Sequence, residues 1–490
     1  MKNDFSNLSK EKQAEMEKLL DEIYDSVPKG GTQSDEAESA NLNLYSFDDT
    51  GNAQRFFNLF GGEMIYNHID KMWLYWDGKR WHADLDKETY RRAALSVEEM
   101  RRELEFYQKQ DEADGTENAK NFSKHIKYTR SMKGEKALIE MAQQLLPVLP
   151  SQLDRHIMAF NTASGIISLK TGELTPHDPK WFITKISEVE YSAGNNYSCP
   201  RWLKFLDEIF NGDKDLIHYV QKAVGYSLTG KTSEQCAFFL FGTGNNGKST
   251  FLDVVRDIAG EYAMNIQPET IMIRTATAAA NSDIARLKGA RLVTSVEPNE
   301  GVRINEGLLK QLTGEDTVTA RKLYGNEFEF KPEFKLWMAT NHKPIIRGTD
   351  TGIWRRIHMI PFTVSIPEEK KDKQLKDKLE REYPDILRWA VEGCLLWQRE
   401  GLEMPRAVRD MCKEYRREMD VISAFIDDRC EVTEKSFAKA SQLYAAYVAW
   451  CDENNEHKFS NTKFGVEMTK RFDKKHTCDG WFYIGIKLLQ

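Results

Sequence analysis

The residues best suited to chemistry form one glycine-rich run near the middle of the 490-residue chain. The run follows the pattern G-x-x-x-x-G-K-S and consists of Gly242, Thr243, Gly244, Asn245, Asn246, Gly247, Lys248 and Ser249, followed by Thr250. In this pattern the glycines let backbone N–H groups approach phosphate oxygens, the lysine reaches the β- and γ-phosphates, and the hydroxyl ligates Mg²⁺. The run predicts a site for a nucleoside triphosphate, with ATP and Mg²⁺ as ligands and Ser249 on the metal.

The sequence on both sides of this run predicts the elements that must hold it. An apolar, β-prone segment at 237–241 precedes the run, and a helix-prone segment at 251–258 follows it. A phosphate loop needs this order, because the helix that follows adds the positive end of its dipole to the anion site. We therefore expect an α/β core built around a strand, the loop and a helix.

Polar residues follow two more predicted strands. Glu297 and Glu300 come after the apolar segment 290–296, and Asn341 follows the segment 334–340. In phosphate-loop enzymes a strand-terminal acid supports Mg²⁺ and a neighbouring acid polarises the attacking water. Glu297 is thus predicted as a metal ligand and both glutamates as catalytic, although the residues do not settle which of them does which job. Asn341 is predicted to hold the γ-phosphate or the water.

Basic residues of two further segments are candidates for function. Arg355 and Arg356 precede an apolar strand, where such a pair is usually structural, but in a ring ATPase an arginine reaches the neighbour's site and stabilises transition-state charge. The turn Gly325-Asn326 between β-prone runs predicts a hairpin. Arg321, Lys322 and Tyr324 would lie near its tip, and the alternative is an ordinary surface hairpin.

Bulk composition bounds the class of protein. The hydrophobic fraction of 40% predicts folded domains, and the net charge of −7 means that any nucleic-acid site must be a local basic patch. The seven cysteines form no C-x-x-C pair, which argues against a zinc site or a disulfide framework. No run approaches 18 apolar residues, so we expect no membrane span and a cytoplasmic protein, in a bacterial host.

The C-terminal region carries such a local basic patch. From Lys458 onward the sequence contains seven Lys or Arg residues and three acidic residues. Lys470 and Arg471 flank a predicted helix that precedes a β-wing. Contact with duplex phosphates is the functional interpretation, and a solvated charged surface is the alternative. Upstream, the segment from Trp73 to Trp81 predicts an aromatic hairpin, which would form either a small core or a stacking platform for bases.

With these motifs in place, the chain resembles the superfamily 3 helicases, in the branch of phage and plasmid primase-helicases related to the poxvirus primase-helicase. The resemblance covers most of the chain. The family's Walker A motif corresponds to residues 242–250, and its Walker B motif corresponds to 290–301. The pore-hairpin motif corresponds to 310–324 and the sensor motif to 335–344. The arginine-finger region corresponds to 350–362 and the winged helix to 440–489.

The resemblance implies a fold and a domain plan. The fold is an AAA+-type phosphate-loop ATPase core with a mixed α/β N-terminal domain, a helical collar and a C-terminal winged helix. The expected segments are a polar tail at 1–44, the mixed domain at 45–200, the collar at 201–232, the core at 233–365, a helical segment at 366–430 and the winged helix at 431–490.

The resemblance also implies a function. A homo-hexameric ring would hydrolyse ATP, translocate 3′-to-5′ on single-stranded or forked DNA, and grip the strand through Lys310, Arg321, Lys322 and Tyr324. Residues 1–150 show no metal-binding acidic set, so we expect a separate primase or polymerase as a partner. The alternative function is a nucleotide-switched initiator or loader at a replication origin, with little unwinding.

Overall fold

The computed structural model describes residues 45–191, 197–273, 280–296, 301–321, 325–348, 350–454 and 456–489. The chain divides into two compact units, Met1–Leu153 and Asp154–Gln490. In these described residues, no helix combines the length and the apolar character that crossing a bilayer would need. They also contain no group of three or more side chains suited to holding a metal ion. All seven cysteines are free thiols.

In the first unit, the described residues 45–153 form four helices and a small sheet. The helices are α1 (Asp49–Phe60), α2 (Glu88–Asp114), α3 (Asn118–Thr129) and α4 (Met132–Ala142). The strands are β1 (Met64–Asn67), β2 (Met72–Trp76), β3 (Trp81–Ala83) and β4 (Pro147–Val148), in the order β3-β2-β1-β4. The helices α1 and α4 pack around Phe56, Met64 and Leu138, which are almost fully buried.

The predicted aromatic hairpin is confirmed as β2 and β3, which pair antiparallel. The Asp77 carboxylate closes its turn by accepting from the backbone N–H groups of Lys79 and Arg80. Trp73 and Trp81 are only 8% and 2% exposed. Since these rings are buried, they form a small core, and they do not offer a stacking platform to bases.

A five-stranded parallel sheet dominates the second unit, and it holds the glycine-rich run. Its strands are β8 (Ala237–Phe241), β9 (Ala263–Asn265), β10 (Leu292–Val296), β13 (Lys335–Thr340) and β14 (Ile357–Pro361). They lie in the order β14-β8-β13-β10-β9. Because parallel strands point the same way, the segments that follow β8, β10 and β13 meet at one edge, and the segments that precede β8 and β14 meet at the other.

The helices of this unit and its remaining short strands pack on the sheet or beside it. The helices are α5 (Pro200–Ile209), α6 (Lys214–Ser227), α7 (Lys248–Ala259), α8 (Ala280–Ala285), α9 (Glu306–Thr313), α10 (Thr351–Trp354), α11 (Leu375–Glu380), α12 (Tyr383–Glu400) and α13 (Arg406–Glu418). A three-stranded sheet comprises β5 (Ala159–Thr162), β6 (Gly165–Ser168) and β7 (Leu174–Thr175). Single 3₁₀ turns lie at Pro179–Trp181, Gly260–Tyr262, Pro268–Thr270 and Glu368–Lys370.

The boundary between the two units falls after Leu153, whereas the sequence predicts a domain end near residue 200. The physical reason is packing. Phe160 and Leu169 from the small sheet share one hydrophobic core with Trp202 of the predicted collar and with Phe238 of β8. The strands β5–β7 therefore belong to the unit that contains the large parallel sheet.

The C-terminal part has its own core. It contains α14 (Val421–Arg429), α15 (Ala440–Glu453) and α16 (Asn461–Thr469), with the strands β15 (Cys430–Lys439), β16 (Lys474–Thr477) and β17 (Gly480–Leu488) in the order β15-β17-β16. Phe425 of α14 packs with Tyr447 and Phe464 of the other two helices. Because α14 shares this core, the C-terminal part begins about ten residues earlier than the predicted boundary at 431.

Candidate functional site

The glycine-rich run forms a tight loop between β8 and α7, as the sequence predicts. Gly247 adopts a φ of 86°, a conformation that L side chains rarely take. A Cβ atom at Gly242 would lie 2.1 Å from the carbonyl oxygen of Phe362, so only glycine fits there. The Asn246 amide donates to the carbonyl oxygens of Thr243 at 2.8 Å and of Phe362 at 3.2 Å, which fixes the loop to the end of β14.

The loop opens toward solvent at the beginning of α7. Thr243, Gly244, Asn245 and Ser249 are exposed, and Thr250 is half-buried. No side chain caps the N-terminus of α7, and no atom lies within 4 Å of a Cβ atom built on Gly244. The first turn of a helix leaves backbone N–H groups without intrahelical acceptors. This uncapped 12-residue helix therefore offers N–H donors and a positive dipole end to an anion.

Lys248 connects the loop to the predicted sensor residue. Its side chain is 5% exposed, and its Nζ donates to the Asn341 Oδ1 at 2.9 Å and to the Asn246 Oδ1 at 3.2 Å. It also donates to the Gly242 carbonyl oxygen. Asn341 follows β13, which lies beside β8 in register from Ala237 to Phe241. The sheet thus brings together a lysine and an asparagine that are 93 residues apart.

The strand that precedes the predicted acids in the sequence, β10, ends at the same edge of the sheet as β8 and β13. β10 ends at Val296, which pairs with Ala339 near the end of β13. Glu297 and Glu300 follow, but they lie outside the described residues. The groups suited to Mg²⁺ are therefore the exposed Ser249 hydroxyl, one residue after Lys248 in the first turn of α7, and the predicted carboxylate of Glu297.

The two predicted arginines differ in their surroundings. Arg356 is 9% exposed, and its Nη1 donates to the Gly352 carbonyl oxygen at 2.5 Å. Burial, followed by repulsion from Arg355, lowers the pKa of Arg356 below its usual range. Arg355 is exposed. Arg355 is therefore the one of the two that can reach another molecule.

Both arginines lie at the edge of the sheet opposite the glycine-rich loop. The backbone N–H of Ala237, which begins β8, donates to the carbonyl oxygen of Arg356 at 2.8 Å. At about 3.3 Å per residue, the five residues of β8 separate this edge from the loop by roughly 15 Å. Arg355 cannot reach a phosphate bound at the loop of its own chain across that distance.

Gln235 is a residue that the sequence analysis missed. Its Oε1 accepts from the Nη2 atoms of both Arg355 and Arg356, at 3.3 Å for Arg356. Gln235 itself adopts a φ of 48°, which costs energy for a residue with a side chain. No sequence motif indicates this residue, because its partners lie 120 and 121 positions away along the chain.

The predicted hairpin is confirmed. The strands β11 (Val318–Arg321) and β12 (Glu327–Phe330) pair antiparallel, and the Arg321 Nε donates to the Gly325 carbonyl oxygen at 3.0 Å. Lys322 and Tyr324 lie outside the described residues. Lys310, on α9, forms an ion pair with Asp350 at 2.9 Å, and this contact holds the pKa of the aspartate below its usual value.

Two basic residues of the predicted C-terminal patch, Lys470 and Arg471, form ion pairs within the chain. Arg471 forms ion pairs with Asp420 at 2.5 Å and with Glu467 at 3.4 Å, and it joins the beginning of α14 to α16. Lys470 pairs with the same Glu467 at 2.7 Å. The Glu467 side chain is 5% exposed. This geometry indicates a structural role for Arg471, while its predicted contact with DNA stays a prediction.

Three family models match consecutive parts of the chain. Residues 53–211 match a model described as D5 N terminal like, residues 240–356 match a family of unknown function, and residues 417–484 match a model described as poxvirus D5 protein-like. The middle match runs from β8 to Arg356 and so contains the loop, Asn341 and both arginines.

Relatives come from large DNA viruses. The chain is 28% identical over 374 residues to a protein named putative helicase of Acanthamoeba polyphaga mimivirus, covering 71% of this chain and 38% of that protein. It is 27% identical over 310 residues to a helicase-named protein of frog virus 3, covering 59% of this chain and 32% of that protein. It is 25% identical over 206 residues to primase D5 of fowlpox virus, covering 40% of this chain and 26% of that protein. The chain spans about a third of the length of these curated relatives.

Among solved structures, the apo C-terminal region of NrS-1 is similar at 12% identity with a TM-score of 0.42, covering 61% of this chain and 78% of that one. The sequence matches carry the assignment. The chain has D5 N-terminal-like and poxvirus D5-like domains and is homologous to the helicases and primases so named in large DNA viruses, which confirms the resemblance to the primase-helicase branch of the superfamily 3 helicases.

Proposed function

We propose that this protein is an ATP-dependent replicative DNA helicase of a phage or mobile element that moves along single-stranded DNA as a ring. The observation that carries the proposal is the contact between Lys248 and Asn341 beneath an uncapped helix N-terminus. It joins a phosphate-binding loop to a polar side chain from the neighbouring strand, where a γ-phosphate would lie.

The strand order supports an AAA+-type core for this activity. β13 lies between β8, which carries the loop, and β10, which leads to Glu297 and Glu300. Asn341 follows directly after Thr340 at the end of β13. In the proposed site this sensor side chain would therefore come between the phosphate loop and the acids predicted after β10.

The proposed mechanism assigns roles to the loop residues and to the residues that follow β10 and β13. The backbone N–H groups of the loop and Lys248 bind the triphosphate, and the Ser249 hydroxyl and Glu297 would hold Mg²⁺, which neutralises phosphate charge when bound. Glu300, or Glu297 in its place, orients the attacking water and takes its proton. Asn341 hydrogen-bonds the γ-phosphate or that water, and it releases Lys248 to do so.

The arginines require a second copy of the chain. Arg355 is exposed at the far edge of the sheet, so it can complete only a neighbour's site, as in a ring. Hydrolysis at that interface then shifts the hairpin β11–β12. Together with Lys310, Lys322 and Tyr324, Arg321 would hold the strand by its phosphates and bases. A hexamer is the ring size that we propose.

Strand displacement on a forked duplex tests the proposal. The wild type should separate the strands with ATP and Mg²⁺, and Lys248→Ala should abolish both separation and ATP hydrolysis. Asn118→Ala, on α3 in the first unit, is a control that should behave as wild type. Binding of the fork without displacement, together with indifference to Lys248→Ala, would favour the initiator or loader instead.

A further inference from the structure

The three-stranded C-terminal sheet has two unequal faces. Successive residues of a strand point to opposite faces. On β17, Tyr483 is 1% exposed and packs in the core with the helices. Its neighbours Phe482 and Ile484 therefore point to the other face. Ile484 is 41% exposed, which shows that no helix of this part of the chain covers that face at Ile484.

The adjacent strands add one aromatic residue and two lysines to the same face. Residues directly opposite in an antiparallel pair share a face. Phe437 of β15 lies opposite Ile484, while Lys439 of β15 and Lys475 of β16 both lie opposite Phe482. A Cβ atom built on Gly480 would lie 3.6 Å from the Lys439 Cε, so this side chain runs along the face. We call Phe437, Lys439, Lys475, Phe482 and Ile484 the outer sheet face.

The aromatic residues of this face are available to a ligand. Phe437 is 68% exposed, and its ring meets the ring of Phe482 edge-on, with centroids 6.0 Å apart. Burying a phenylalanine is favourable, and the exposed ring of Phe437 with the half-buried ring of Phe482 beside it forms a surface for stacking. Lys475 is exposed on the same surface.

The charge of this face selects the chemistry of its ligand. The face carries two lysines and one exposed acid, Asp473, whose backbone carbonyl oxygen accepts from the N–H of Ile484. In the same sheet Lys487 pairs with Glu431 at 2.9 Å, whereas Lys439 and Lys475 form no ion pair among the described residues. The combination of aromatic rings and these lysines matches a polyanion that also presents flat apolar groups.

We propose that the outer sheet face binds single-stranded DNA, with bases stacked on Phe437 and Phe482 and with phosphates paired to Lys439 and Lys475. A duplex would offer this face only phosphates, because its bases are already stacked on each other. An unpaired strand offers both, and base–aromatic stacking tolerates any sequence. The site is separate from the hairpin and from Lys470 and Arg471, and it rests on the proposed function in that the chain acts on unpaired DNA.

Fluorescence anisotropy with a labelled thymidine 20-mer and with a duplex of equal length tests this site in the full chain. Phe437→Ala should weaken binding of the single strand about fivefold or more and leave duplex binding unchanged. Lys475→Ala should weaken binding of the single strand and should reduce the steepness of log affinity against log salt concentration by about one. Lys487→Ala is the matched control and should change neither. Because Phe437 is exposed, Phe437→Ala should melt at the wild-type temperature.

Cross-linking locates the strand independently of affinity. A 20-mer containing 5-bromodeoxyuridine should cross-link, on irradiation, to peptides that contain Phe437 or Phe482. Cross-links confined to the hairpin peptide 318–330, or unchanged affinity in Phe437→Ala, would overturn the site and leave the helicase proposal standing. Equal losses for duplex and single strand would also overturn it. Conversely, a wild type that binds through Phe437 yet hydrolyses no ATP would overturn the helicase proposal and leave this site standing.

Discussion

Gln235 fixes the position of the exposed arginine at the edge of the sheet. One amide oxygen accepts from both Arg355 and Arg356, and the residue keeps a left-handed backbone conformation to do so. Two like charges side by side repel each other, and burial makes this repulsion stronger at Arg356. A neutral acceptor between them holds both side chains in one arrangement without adding charge.

Removing this acceptor should impair ATP hydrolysis without weakening ATP binding. We expect Gln235→Ala to lower kcat roughly three- to tenfold, because Arg355 loses its preferred orientation, with KM for ATP unchanged. Gln235→Glu, which keeps the acceptor oxygens, should retain more activity than Gln235→Ala. Steady-state ATPase assays measure both constants. A rise in KM at constant kcat would contradict a positioning role.

His358 is a buried neutral group within the parallel sheet. It is 5% exposed, and its Nδ1 shares a hydrogen bond of 2.5 Å with the Tyr219 hydroxyl. Burial lowers the pKa of His358 from 6.5 to about 4. In the unfolded chain the imidazole takes a proton below about pH 6.5, whereas in the folded chain it stays neutral until about pH 4.

The folded protein should therefore lose stability as the pH falls through this range. Between pH 6.5 and pH 4 the unfolded state binds more protons than the folded state. The contribution of His358 to the free energy of unfolding is therefore fully present above pH 6.5, and it declines below that pH by roughly 3 kcal/mol at most. Urea unfolding followed by tryptophan fluorescence at several pH values measures the decline. His358→Gln should show a smaller decline than wild type, and parallel curves for the two proteins would contradict this assignment.

At the scale of elements, the hairpin β11–β12 is a separate two-stranded sheet whose residues Val318, Ala320 and Phe330 belong to a hydrophobic core cluster. Its inward residues Val318 and Ala320 are 2% and 1% exposed, whereas Arg321 at the tip side is exposed. Buried residues on one face of β11 thus anchor the hairpin in the core, and the Arg321 side chain is exposed. In the proposed mechanism this exposed side chain contacts the DNA strand.

Arg321→Ala should uncouple DNA from ATP hydrolysis. We expect basal ATPase activity to stay within about twofold of wild type, while stimulation by single-stranded DNA falls at least about fivefold, because a phosphate contact is lost. Lys331→Ala, an exposed lysine just beyond β12, is the matched control. Stimulation that survives Arg321→Ala would remove the hairpin from the DNA path.

Local patterns predict the elements of this protein better than they predict their grouping. One motif predicts the strand, loop and helix around Lys248. The apolar run before Asn341 predicts the strand β13 and where it ends. The unit boundary at Leu153 and the pairing of Arg471 with Asp420 depend on contacts between distant segments. Propensity and spacing carry no information about such contacts, so basic residues of the C-terminal patch could not be divided into paired and unpaired ones.

At the scale of the whole molecule, the proposed site needs groups from two copies of the chain. Lys248 and Asn341 lie at one edge of the parallel sheet and Arg355 at the other, so a full set of predicted catalytic groups needs two copies arranged head to tail. A head-to-tail contact forms a ring where its rotation closes, and an open filament where it does not. The proposed ring would place the Arg355 edge of one copy against the glycine-rich loop of the next.

Mixing two inactive variants tests this arrangement most directly. Lys248→Ala lacks the phosphate contact and Arg355→Ala lacks the exposed arginine, so each should hydrolyse almost no ATP alone. In an exchanging equimolar mixture, about a quarter of the interfaces should combine an intact Lys248 with an intact Arg355 and regain activity. ATPase activity near a quarter of wild type is the predicted result. No recovery in mixtures whose subunit exchange is shown by differently labelled chains would contradict a site shared between copies.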